Sequence, residues 1–384
     1  MSRGMKVGTW IPVKWMTGLI LAAIVSQHCA AISLETDGYH VHAGEEIQAA
    51  IEQAAENATN KVVWVHAGTY GPSSKRQALI WLNRKHSGVR VWAVGSVTLT
   101  AANTNLVHPQ DGGYPAAVNH VVYFGDGIDE STQLEGFRIT GANGFLTKRM
   151  LNETEPDRTL PRNAFLMTDG GGIKVFGRSY PVLSYLEIEN NYSSPCGGGI
   201  SIQHQGYNNR QVFIRNCVFR NNGALATGSA VDLLHGSAAR IENCLFVGNS
   251  SNLGFDIVAD LKSGELPSTN SGVLTIFGGS KGAVVECTFT GNRNAVDDLS
   301  GGFRYTRCIF ADNTLMTGLP NTNRCELLLL HGGVVTGCVI QGRIDDPKGS
   351  ISPRENVLNP GPPGFDADFK AKSPAYSRAG WRKP

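Results

Sequence analysis

The chain has 384 residues, with 34 lysines and arginines against 32 aspartates and glutamates. Arg3, Lys6 and Lys14 fall in a leader-like stretch, and without them the balance is 31 (34 less 3) against 32. So neutral a chain has no electrostatic reason to bind nucleic acid, and no such partner is expected.

In chain order, Arg3, Lys6 and Lys14 precede an apolar run from Trp15 to Val25 and then Cys29-Ala30-Ala31. This pattern predicts an export signal over residues 1–31, cleaved after Ala31. The run is short of the about 20 residues a bilayer span needs, so no stable span is expected in the mature chain; an uncleaved anchor is the alternative. Ser26-Gln27-His28 before Cys29 lacks the residues of a lipobox.

The mature chain, 32–384, reads as one elongated domain. Residues 44–58 place Ile47, Ala50, Ile51 and Ala54 on one helical stripe, which predicts a cap helix. A strand follows from Val62 to Tyr70, and further strands read at Val89 to Leu99, Val121 to Phe124 and Leu134 to Thr140.

From Gly170 to Arg343 a two-part phrase recurs six times. Its first half is small residues followed by apolar-x-apolar, at Ile173, Ile200, Val231, Leu274, Val296 and Leu327. Its second half is Cys-x-Phe-x-x-Asn, at Cys217/Phe219/Asn222, Cys244/Phe246/Asn249, Cys287/Phe289/Asn292 and Cys308/Phe310/Asn313. Looser copies stand at Leu186/Ile188/Asn191 and Cys338/Ile340/Arg343. Such a unit, two short strands and no helical period, predicts a β-solenoid of about nine rungs. Parallel neighbours about 4.8 Å apart then bring like residues into files: five sulfurs, and a ladder of asparagine amides at a turn. Residues stacked in a file point the same way, so the cysteines are expected as buried free thiols rather than disulfides.

These repeats resemble those of the right-handed parallel β-helix proteins of the pectate-lyase-like superfamily. The Gly-Gly-Gly-Ile and Asn-Cys-x-Phe-x-x-Asn phrases are most similar to exported bacterial β-helix proteins of uncharacterised activity. Gly68-Thr69-Tyr70 resembles the superfamily's opening, and Pro363 to Tyr376, within a C-terminal closing segment at 344–384, resembles the closing segment of the same exported proteins. The resemblance implies an all-β, single-stranded right-handed parallel β-helix. It also implies a secreted, periplasmic or cell-surface location and a polysaccharide or surface-glycan partner.

Three long excursions, Ala142 to Asp169, Ser250 to Ser271 and Thr314 to Arg324, all leave after the asparagine half. Stacking predicts that they wall a groove over the Gly-rich strands. Strand alternation turns Lys174, Ser201, Asp232, Thr275, Asp297 and Leu328 away from the bore, and brings His204 and His235 to adjacent rungs. His204, His235, Asp232 and Lys174 are therefore the candidate catalytic residues. A histidine or lysine would act as general base and another as general acid, with Asp232 orienting an imidazole; histidines that merely end strands at a turn are the simpler reading. Asp232 and Asp297, two rungs apart and so roughly 9.6 Å between backbones, stand near the wide limit of an inverting glycosidase pair; Asp297-Asp298 with the later His331-Gly332 gives a weaker resemblance to polygalacturonase-type hydrolases, without their Asn-Thr-Asp and Gly-His-Gly motifs. Asp298 falls at an inward position, where a break of register is expected. Glu187 and Glu189 resemble the calcium pair of alginate and chondroitin lyases without its lysine and arginine, and read as a solvated strand face. No metal or cofactor is assigned. The two functions left open are a glycan-facing groove that binds or processes polysaccharide, and a non-catalytic structural or adhesive envelope protein.

Overall fold

The computed structural model describes residues 33–111, 113–144, 169–194, 196–253, 272–313 and 325–384. The leader and nearly all of the three excursions lie outside the described residues. Residues 32–384 form one compact unit, a right-handed parallel β-helix. Among the described residues no helix is long and apolar enough to cross a membrane.

Each rung has three sides, not the two strands read from the repeats. The Gly-rich phrase forms one sheet of nine described strands from Arg76–Leu82 to Ile344–Asp345. The Cys-x-Phe phrase forms a second side, from Glu187–Glu189 through Val218–Arg220, Leu245–Val247, Thr288–Thr290 and Ile309–Ala311 to Val339–Gln341. Between them lies a side with no fixed phrase: Val182–Ser184, Val212–Arg215, Ala238–Glu242, Lys281–Val285, Phe303–Thr306 and Val334–Thr336. We call it the linking side. The residue that bends it into the second side is left-handed at every rung, with φ of 53° at Tyr185, 55° at Asn216, 47° at Asn243, 52° at Glu286, 50° at Arg307 and 66° at Gly337.

The register is that of the repeats. Ile173, Ile200, Val231, Leu274, Val296 and Leu327 pair in succession. It also holds at Asp298, which pairs with Ile276 and Leu329. The expected break does not occur because the buried carboxylate is satisfied in place: Oδ2 accepts from the Tyr305 hydroxyl at 2.9 Å, and Oδ1 from Ser300 N and Oγ at 2.8 and 2.6 Å.

The bore is filled by files of like side chains. Phe219, Phe246, Phe289 and Phe310 stack with centroids 4.7, 4.2 and 5.1 Å apart, an offset arrangement worth about 0.5–1.5 kcal/mol per pair beyond area burial. The five sulfurs of the file are buried and form no disulfide, Cys196 is half-buried and also without a disulfide, and Cys325 is buried. Burial pushes the Cys217 and Cys287 thiols well up, so they stay protonated and act as small apolar fillers.

In the amide ladder Nδ2 of Asn191, Asn222, Asn249 and Asn292 donates to Oδ1 of the next, at 3.2, 3.0, 3.0 and 2.7 Å. Each Nδ2 also donates to a carbonyl of the preceding rung, as Asn249 does to Phe219 at 3.0 Å. Each Oδ1 also accepts a backbone N–H, as Asn249 does from Asn222. Past Asn313 the ladder ends on Glu326, whose Oε1 accepts from Asn313 N at 3.1 Å. The sequence put Arg343 next in the ladder, but a guanidinium has nothing with which to accept.

The helix at the first end is Ile47–Glu56, burying Ile47, Ala50, Ile51 and Ala54 against the opening rung. At the other end the solenoid runs on into the segment read as closure. Ile344–Asp345 pairs with Leu327–Leu329, and Val357–Leu358 with Val339–Gln341. Residues beyond then turn back along the second side, where Tyr376 packs on Ile309, Ala311 and Val339 and Trp381 N donates to Thr288 Oγ1 at 2.9 Å.

Two outcomes follow from this core. Asn249→Leu leaves buried backbone and amide groups unpaired on two rungs and should cost about 1–3 kcal/mol, measured by denaturant unfolding, whereas an exposed-loop control should cost nothing measurable. Thiol titration of the chain from residue 33 should find the five-cysteine file unreactive in the native state, and seven free thiols in guanidinium; a lower denatured count would mean disulfides.

Candidate functional site

The Gly-rich strands bring the predicted file together: Lys174, Ser201, Asp232, Thr275, Asp297 and Leu328 are paired in order. All six point away from the bore, yet all six are buried. Part of the reason is the turn that opens each phrase. Gly197 and Gly228 adopt φ of 68° and 58° and curl back over the outward residue four positions on. A Cβ there would lie 2.6 Å from the Ser201 Cβ and 2.4 Å from the Asp232 Cβ, a space and a conformation that only glycine tolerates. The run of small residues is thus a lid on its own strand.

Beneath these turns the polar groups satisfy one another. Lys174 Nζ donates to Asp169 Oδ2 at 2.6 Å, Ser201 Oγ at 3.1 Å and Gln203 Oε1 at 3.1 Å, which uses all three ammonium hydrogens. Asp232 Oδ1 accepts from Thr227 Oγ1 at 3.1 Å, while Asp232 Oδ2 and Asp297 Oδ1 are without hydrogen-bond partners among the described residues. Burial pushes the Asp232 carboxyl up to about 8 and the Asp297 carboxyl up to about 7, so both carry their protons in mildly acid solution.

His204 and His235 occupy matching places after adjacent strands but face different surroundings. His204 is fully buried, its Nε2 donating to the Ser179 carbonyl at 2.9 Å and its Nδ1 accepting from Ala238 N–H at 3.1 Å. Burial lowers its pKa to about 4, and both nitrogens hold the backbone of neighbouring rungs. His235 is exposed, its ring tilted against Phe277 at 5.1 Å. Lys174, His204 and Asp232 thus meet structural partners, and His235 alone of the four meets solvent.

The excursions that were to wall the groove lie outside the described residues, and two open depressions among the described residues lie on the other two sides. One, of about 440 Å3, runs beside the returning C-terminal segment. It is lined by Tyr185, Glu187, Glu189, Arg220, Phe369 and Trp381 among others. Glu189 there is not free to pair with a cation, since Arg138 Nε donates to it at 2.6 Å. The other, of about 680 Å3, lies on the linking side, floored by Gly282 and Ala283 and flanked by Arg210, Lys281 and Arg304 with the amides of Asn208, Asn209 and Gln211. Arg210 pairs with Glu130. Lys281 and Arg304 are exposed and have no ion-pair partner among the described residues. Asn208 Nδ2 donates to Gly279 O at 2.9 Å, tying the corner of turns on which His235 also stands. Sequence reasoning missed this cationic face, because its residues belong to the side without a repeated phrase.

A family profile described as "Right handed beta helix region" matches residues 87–262. No curated protein matches. The chain is similar to the crystal structure of PfbA, a surface adhesin of Streptococcus pneumoniae, at 16% identity and a TM-score of 0.29, over 86% of this chain and 72% of that one. A likeness at that level carries no function across.

Lys174→Ala should destabilise by about 3–5 kcal/mol, because it strands the Asp169 carboxylate in the interior; denaturant unfolding reads this directly. The buried acids also set a pH dependence. An Asp232 carboxyl raised from 3.8 to about 8 stays protonated in the folded chain while the unfolded chain releases its proton. The stability it contributes is therefore full below pH 3.8 and lost as pH rises to about 8. Thermal midpoints should fall across that window, and Asp232→Asn should flatten the fall.

Proposed function

The chain is a right-handed parallel β-helix protein, and because that architecture fixes no chemistry of its own we propose that it binds acidic polysaccharide on the cationic face of the linking side. The observation that carries the reading is the pair of exposed cations, Lys281 and Arg304, without an ion-pair partner among the described residues, beside a floor of Gly282 and Ala283. Small floor residues let a sugar ring approach the backbone, and an arginine can grip a uronate or sulfate group with two parallel hydrogen bonds. Strand neighbours about 4.8 Å apart repeat at a spacing comparable with one pyranose unit, so cations on successive rungs suit successive charged sugars. His235, at the corner of turns tied by Asn208, adds a donor at the edge.

Binding is favoured over turnover. The predicted acid–base residues Lys174, His204 and Asp232 are buried and engaged with their own rungs, and the Glu130 carboxylate that lines the cationic face is paired with Arg210, so of the predicted four only His235 stands near that face. The leader-like residues 1–31 support a place outside the cytoplasm, where such a polymer would be met.

Affinity electrophoresis or calorimetry with polygalacturonate, alginate and a neutral glucan tests the reading. Binding should be confined to the acidic polymers and weaken with salt, and Lys281→Ala/Arg304→Ala should reduce it about tenfold or more. Absorbance of unsaturated products and reducing-end assays should stay flat. Equal binding of the neutral glucan, or unchanged affinity in the double variant, would overturn the proposal in favour of a rod that packs against protein partners.

A further inference from the structure

The described histidines include a cluster at the first end of the solenoid that nothing above employs. Ser33–Glu35 and Gly38–Val41 form an antiparallel hairpin with Thr36 and Asp37 at its tip. Tyr39 and Val41 point into the core, so alternation turns His40 and His42 outward. On the next rung the parallel strand Val62–Tyr70 turns Trp64 and His66 to the same side. Glu35 at the end of one hairpin strand and Asp37 at its tip then converge on His40 from solvent.

The geometry is that of a ligand set with its supporting ring already in place. His40 Nε2 lies 3.0 Å from Asp37 Oδ1 and 3.8 Å from Glu35 Oε2, and one donor atom from each of the three lies within 4.8 Å of the others. A tetrahedral zinc ion with bonds of about 2.0–2.2 Å spaces its ligands about 3.4 Å apart, between the two measured distances. Behind the ring, His40 Nδ1 is 2.9 Å from His66 Nε2. His66 is in turn held by stacking on His42, with centroids 4.2 Å apart and planes 13° from parallel, and Trp64 Nε1 donates to the Asp37 carbonyl at 3.1 Å. Two neutral imidazoles can share that 2.9 Å contact only if one of the facing nitrogens carries the hydrogen. When it is Nδ1 of His40, Nε2 presents a lone pair beside two carboxylates, three donors that a divalent cation would bridge; with the hydrogen on Nε2 instead, His40 donates to Asp37 Oδ1 at 3.0 Å. A ligating histidine whose second nitrogen is tied to a hydrogen-bond partner is the usual outer-shell arrangement of such centres.

We propose that Glu35, Asp37 and His40 form a surface site for a divalent transition ion of the zinc type, with His66 as the positioning residue that fixes the His40 tautomer. One imidazole with two carboxylates suits zinc better than calcium or magnesium, which favour all-oxygen sets. The fourth position faces solvent. The site is separate from the cationic face in both residues and chemistry, so either can fail without the other.

The test is calorimetric titration of the tag-free chain, stripped with a chelator, with zinc chloride alone and, separately, with calcium chloride. One equivalent of zinc should bind and calcium should not. His40→Ala and Glu35→Gln should each weaken zinc binding about tenfold or more, and His66→Gln should do so through the supporting ring, while His108→Ala, on a distant exposed loop, should leave it unchanged. Far-UV circular dichroism checks each fold, and because Glu35 sits on the exposed hairpin its variant remains informative even if His40→Ala unfolds. No zinc binding by the stripped chain, or binding that survives both Glu35→Gln and His40→Ala, would reduce the cluster to a hydrogen-bonded relay and overturn the proposal.

Discussion

One constraint governs this molecule: each side chain sits directly over its counterpart about 4.8 Å away, so every file must be compatible with itself. Apolar and aromatic files meet that condition by stacking. A polar file meets it only if its residue both donates and accepts, which is why asparagine holds the turn from Asn191 to Asn313. Lysine or glutamate repeated at that spacing would place like charges in a column. Where the repetition ends, the terminal residue must supply what is missing, and the Glu326 carboxylate accepts the last amide. Burial pushes that carboxyl up to about 7.

The same constraint explains what could be read beforehand. Register was legible because the Gly-rich and Cys-x-Phe phrases repeat their small, apolar, Cys, Phe and Asn positions, and the pairings of Ile173 with Ile200 and of Phe219 with Phe246 are those of the text. The linking side was not legible. Val212–Arg215, Lys281–Val285 and Phe303–Thr306 share register but no phrase, since their outward residues, Phe213, Arg240, Ala283 and Arg304, face solvent and are not obliged to match. For the same reason the cationic depression on that side left no trace in the repeats.

Exposure was the second thing hidden. Alternation tells which way Lys174, Ser201 and Asp232 point, and it told correctly, but it does not tell what lies over them. The cover comes partly from a left-handed conformation at Gly197 and Gly228, which turns the backbone over the next strand. A Gly-rich stretch reads equally well as a loose loop or as a close-fitting lid, and only the contact distances distinguish them. The resulting interior file has a cost: desolvation raises the Asp232 carboxyl to about 8 and the Asp297 carboxyl to about 7, against the ordinary tendency of a carboxyl to ionise in mildly acid solution.

Together these features favour, among the described residues, the linking side as the proposed binding face. The outward file of the Gly-rich side is taken up by its own turns and its own hydrogen bonds. Much of the second side is taken up by the C-terminal segment: Tyr376 packs against Ile309 and Val339, and a Cβ at Gly380 would lie 2.4 Å from the Ile309 side chain. That contact is too close for anything to slip between. Among the described residues the linking side has no such cover over Lys281, Gly282 and Arg304, and its strands are paired in register from rung to rung. An extended polymer needs a long, fixed and open face, and among the described residues the linking side meets all three requirements while also carrying unpaired positive charge.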